Sequence, residues 1–169
     1  MQQIPLFSGL LVFCKRKLLG APARLPIARM EDLHTNYIGK VADGRLFLGY
    51  ETMFNSRPNK GLTGKEWDQQ RVHYAVMHFF NANGDYLNSK SFCTRRNGQY
   101  SDVDGEELLE KWTAELGDVE LGDIEVRLFE TVIDGFTFGL IPDLKNRFIN
   151  LDPDALIAFS APWDGEYYT

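Results

Sequence analysis

Three dipeptides constrain what this chain can fold into: Asp43-Gly44, Asn83-Gly84 and Asp134-Gly135, each set between apolar, β-prone runs. Such pairs suit two-residue type I′ turns, whose central residues both take positive φ and whose twist matches the strands they join. They predict hairpins over roughly 37–54, 72–93 and 123–141. In the third, Ile124, Val126 and Leu128 alternate with Glu125 and Arg127, and Phe136, Phe138 and Leu140 follow the turn. That is the period-two pattern of a half-buried strand. Three hairpins imply six antiparallel strands with one wet face, and "ALIAF" at 155–159 adds a seventh at an edge.

One helix supplies the other layer. "DGEELLEKWTAELG" opens on Asp104 as N-cap with Glu107 three residues on, a capping-box arrangement. Leu108, Leu109, Trp112 and Leu116 fall on one helical stripe, and Gly117 follows where a left-handed residue closes a helix. The expected fold class is α+β, an antiparallel sheet with one main helix on one face. The stretch "NSRPNKGLTGKEWDQQ", 55–70, reads as a long loop whose apolar residues are Leu62 and Trp67. Loops of that length are functional or mobile, and an exposed Trp67 favours a binding role.

Charge divides the chain. Residues 1–29 hold Lys15, Arg16, Lys17, Arg24 and Arg29 and no acid, so a net charge of −6 leaves −11 on residues 30–169. An acidic body repels phosphate backbones, which argues against nucleic acid as a partner. The apolar run "IPLFSGLLVFC" is too short to span a bilayer, and its basic triplet follows it instead of preceding it as in a secretory signal. Residues 1–29 are open to three readings: a start assigned upstream of the true one near Met30, a disordered or loosely docked extension, or a weak membrane-surface or export segment. The expected domain is 30–169. Cys14 and Cys93 lack a C-x-x-C neighbour and read as free thiols of a reducing compartment.

Few residues suggest chemistry. "NKGLTGKE" fails the phosphate-loop pattern at Asn59 and at Glu66, which leaves no hydroxyl for magnesium. An EF-hand reading of "YSDVDGEELLEK" puts Tyr100 and Lys111 where carboxylates are needed. His73 and His78, five apart on one strand, point to opposite faces. The expected register sets His78 opposite Ser89 and leaves Cys93 far from it. The remaining acids read as a solvated face, and no catalytic residue, metal or cofactor is assigned.

The closing "PWDGEYYT" is either a structural plug, with Trp163 folded over the core and Asp164 accepting a nearby N–H, or a recognition surface of aromatics and acids. "YIGKVADGRLFLGY", "HYAVMHFFNANGDYL", "DIEVRLFETVIDGFTFGLI" and this ending together resemble a family of small bacterial proteins labelled formate hydrogenlyase regulatory protein, HycA-type. The resemblance covers about residues 26–169, departs at Tyr168, where the family commonly has an acid, and brings no catalytic residues with it. It implies a cytoplasmic regulator acting by contact with an unidentified protein. Trp67, Asp164, Glu166 and Tyr167 are then the expected contacts. The alternatives are a small-molecule binder or enzyme with a helix–sheet pocket using His78 and an acid such as Asp164, and an immunity-type protein neutralising a basic partner.

Overall fold

The computed structural model describes residues 6–30, 34–57, 61–154 and 156–169. In chain order the elements are α1 (Leu6–Leu19), β1 (Leu25–Ile27), β2 (Tyr37–Val41), β3 (Leu46–Asn55), α2 (Gly64–Gln70), β4 (Arg71–Phe80) and β5 (Tyr86–Arg96). They continue with β6 (Gln99–Tyr100), α3 (Gly105–Glu115), β7 (Val119–Leu121), β8 (Ile124–Val126), β9 (Glu130–Ile133), β10 (Phe136–Asp143), β11 (Phe148–Asp152), β12 (Ala158–Phe159) and β13 (Tyr167–Tyr168). The class is α+β, and every paired strand is antiparallel to its neighbour.

The strands divide into a six-stranded sheet, β6-β5-β4-β3-β2-β7, a five-stranded sheet, β13-β12-β11-β10-β9, and a ribbon, β1-β8. The central pair β3–β4 runs unbroken from Leu46↔Phe80 to Asn55↔Arg71. Period-two alternation gives this sheet two apolar faces. Phe47, Ala75, Met77 and Phe79 pack beneath Leu109 and Trp112 of α3. Leu48, Tyr50, Val72, Tyr74, Val76 and Phe80 face the second sheet's Phe138, Leu140, Ile149, Leu151 and Phe159. The face expected to be wet is therefore the inner face of a two-sheet core.

Turn chemistry differs among the three hairpins. Asp134 and Gly135 both have positive φ, 51° and 85°, and Ile133 pairs with Phe136, so this is the two-residue turn expected. In the other two only glycine is left-handed, and Val41 N–H donates to Arg45 O as Asn81 N–H donates to Asp85 O. Ala42 and Ala82 each add a residue, giving three-residue loops of the type closed by a left-handed glycine. The third hairpin is also shorter than its apolar pattern. Ile124 and Val126 pair with Ile27 and Leu25, and only Glu130–Ile133 returns to β10.

α3 forms as its sequence dictates, with the Asp104 side chain accepting from Glu106 and Glu107 N–H and Gly117 at φ +80°. The stretch 55–70 is not all loop. Thr63 and Glu66 form a capping box that opens α2, although residues 58–60 lie outside the described ones.

The basic N-terminal segment does not end outside the domain. Leu25 and Ile27 are each 1% exposed within the main core, Ala28 N–H donates to Gly165 O, and Arg29 N–H donates to Asp123 Oδ1. The density of basic residues hid this, because the three apolar side chains of "LPI" are too few to read as a strand. α1 leaves Leu10, Leu11, Phe13 and Leu18 exposed, and residues 1–5 lie outside the described ones. Among the described residues, no helix is long and apolar enough to cross a membrane.

Candidate functional site

β2 begins at Tyr37, which pairs with Gly49, whereas β3 runs on to Asn55. Past Gly49 that edge of β3 has no strand beside it among the described residues, and unpaired edge groups need another partner. Asp154 takes part of this role: Thr52 Oγ1 donates to its Oδ2 at 2.5 Å, and Met53 N–H donates to the same oxygen at 3.4 Å. The remaining space is a cleft of ≈ 370 Å³, lined by Tyr50, Glu51, Thr52 and Met53 of β3 with Tyr37 and His73. Glu106 and Leu109 of α3 form its helical wall, and His34 and Leu156 complete it.

Glu51, Tyr37 and His73 are displaced from their ordinary behaviour here. Burial raises the Glu51 carboxyl, and the carboxylates of Asp104 and Glu106 raise it further. Tyr37 is pushed up to about 12 by burial and by Glu106, Glu110 and Glu51, and its hydroxyl donates to Glu106. His73 is lowered by burial and by the nearby Arg95 and Arg71 charges, so it is neutral. Its Nε2 is buried and has no hydrogen-bond partner among the described residues. Gly105 lets these groups converge, since a Cβ there would lie 2.0 Å from Glu51 Oε1.

An open groove of ≈ 600 Å³ lies at the far end of β3, between Phe54, Arg57, Phe136, Thr137 and Asp152. Burial and the negative charges of Asp154, Asp143 and Glu130 push Asp152 up to about 6. No family model, curated protein or solved structure matches the chain.

His78 does not line the helix–sheet cleft. It faces the other side of β4, is 0% exposed, and lies between the sheets with Phe129 at 4.7 Å and Phe138 at 6.5 Å between ring centroids. Its Nε2 shares a hydrogen bond with Tyr50 OH at 3.0 Å and its Nδ1 one with Ser89 Oγ at 2.6 Å. Period two put His73 and His78 on opposite faces, but only the packing shows that His73 has the helix side. Cys93 pairs with Tyr74, and a bulge then sets His73 opposite Arg95, so the thiol is not on the His73 face.

The tail is anchored. Tyr167 pairs with Phe159 in β13–β12, is 7% exposed, and shares a hydrogen bond with Thr35 Oγ1 at 3.0 Å. Tyr167 is thus part of the core and is no surface contact, because the short strand turns its ring inward and leaves Tyr168 outside. Trp163 packs half-buried against the same core. Asp164 and Glu166 are exposed, Asp164 Oδ1 accepting from Glu166 N–H at 3.2 Å. Trp67 is 36% exposed on α2, with the Arg71 guanidinium 4.4 Å above its ring. Asp164→Ala is expected to change stability by less than about 0.5 kcal/mol. Tyr167→Phe, which strips a buried hydroxyl from its partner, is expected to cost about 1–2 kcal/mol in urea unfolding.

Proposed function

We propose that this protein is a non-catalytic regulatory or adaptor protein of the cytoplasm that acts by contact with another protein, and that the cleft beside α3 is its recognition site. The observation that carries this is the cleft itself: a cavity with apolar walls and two carboxylates, at an uncovered stretch of strand edge. A strand edge offers main-chain hydrogen bonds to an incoming segment, and an adjoining pocket selects a side chain. Among the described residues the lining includes neither Ser nor Cys, and Thr52 Oγ1 is engaged with Asp154, which suits binding more than acyl transfer. The resemblance to the formate hydrogenlyase regulatory family supports the same reading. A second reading, a small-molecule-binding protein, is favoured by the cleft's volume, which falls in the range of ligand sites.

The test is site-specific photo-crosslinking of the full chain in host lysate, with the crosslinking side chain at Met53 or at Trp67. A protein captured specifically from Met53 is the expected result. Capture from Trp67 alone moves the contact site to α2. Capture from neither position, across growth conditions, removes the contact reading and leaves the small-molecule one.

A further inference from the structure

We infer that the cleft between α3 and the six-stranded sheet accepts an organic cation, an alkylammonium or guanidinium group on an apolar stem. The inference rests on the cleft being the recognition site and names what enters it.

The first support is uncompensated charge. The six ion pairs among the described residues use Asp43, Asp68, Asp85, Glu115, Glu125 and Asp134. None uses Glu51 or Glu106, although Asp104, the α3 cap, sits close enough to disfavour the Glu51 charge. A cation entering the cleft relieves that repulsion and gains charge-assisted hydrogen bonds. The neighbouring imidazole, His73, is lowered and does not supply the missing charge.

The walls are the second support. Tyr37 presents an aromatic ring, and Met53, Leu109 and Leu156 present aliphatic surface, whereas Tyr50 turns its ring toward His78 on the other face. Rings attract cations through their negative faces, and aliphatic walls suit methylene stems. A bare metal ion is poorly served there. Among the described residues, no three His, Cys, Asp or Glu side chains come together to hold one.

The experiment titrates the full chain with butylammonium and butylguanidinium, with butanol and butyrate as neutral and anionic controls. The readouts are calorimetry and amide NMR shifts at Glu51, Thr52 and Met53. Saturable cation binding is expected, tighter than butanol by about tenfold or more, as one charge-assisted hydrogen bond implies. Glu51→Gln and Glu106→Gln, both of which reduce repulsion, should each weaken it by a similar factor once circular dichroism has checked that the variant is folded. Blocked lysine and arginine amides form the second arm. Tighter binding of these than of the free amines identifies a partner's side chain as the source, and the reverse identifies a free amine. Equal binding of butanol and butylammonium, no effect of either substitution, or no saturable shift with any cation overturns the inference. A partner crosslinked from Met53 alongside such a failure would leave the proposed function standing with a different occupant.

Discussion

Gly139→Ala is expected to cost about 4 kcal/mol, a large share of the stability of a domain this size. Gly139 has φ +147°, and an added Cβ would lie 2.1 Å from Phe129 O and 3.0 Å from Glu130 Cα. The obstacle is backbone, so no side chain can swing aside. Leu140 N–H donates to Phe129 O at 3.0 Å, and Gly139 is paired with both Glu130 and Asp152. The glycine is thus where β9 parts from β10 and the chain crosses from the ribbon into the second sheet. An alanine there must move β9 or distort β10, which lies between β9 and β11. Urea unfolding at neutral pH measures the loss. A change below about 1 kcal/mol would mean that β9 docks less tightly than the backbone distances require.

The same crossing shows what sequence reading reaches. The turn dipeptides located all three hairpins, and α3 was legible from Asp104, Glu107 and the Leu109–Trp112 stripe because local rules govern capping and helical spacing. The assignment of each hairpin to a sheet was not legible. Phe138 and Leu140 alternate just as Leu48 and Tyr50 do, and alternation records that one face is buried without naming what covers it. Ile124 and Val126 looked like the partner of β10, yet their partner is the three-residue β1, near basic residues that pointed toward an extension. α2 announced itself only through Thr63 and Glu66, a pair easily passed over in a run without an apolar stripe. The cleft was the least visible feature. It arises because β2 stops pairing at Gly49 while β3 continues to Asn55, a mismatch of lengths that residue patterns do not encode. The idea of a pocket between helix and sheet needed His73, and the period-two argument had no means of preferring it to His78.

His78 is expected to dominate the acid side of the stability profile. Burial alone lowers it to about 3, and its polar neighbours are the hydroxyls of Tyr50 and Ser89, both uncharged near neutrality. Its folded value lies below its unfolded one, so between about 6.5 and 3 the unfolded chain binds the proton and the folded chain does not. The neutral ring's contribution is complete above that window and declines by about 1.4 kcal/mol per pH unit as pH falls through it. Asp152 acts with the opposite sign. Its folded value, about 6, lies above the ordinary 3.8, so the folded chain takes up that proton first and gains stability as pH falls from 6 toward 4. Glu51, also raised, works in the same direction. The wild-type profile is therefore expected to be shallow between pH 6 and 4 and to fall steeply below it, where the carboxylates no longer offset the imidazole. Asp152→Asn should bring the decline up toward pH 6. His78→Gln, less stable at neutral pH by about 1–3 kcal/mol for its disturbed hydrogen bonds, should instead gain stability between pH 6 and 4. Urea melts at unit pH steps separate the two slopes. Parallel profiles for the wild type and His78→Gln would show that the imidazole takes its proton inside the folded core, and the burial argument for its neutrality would fail.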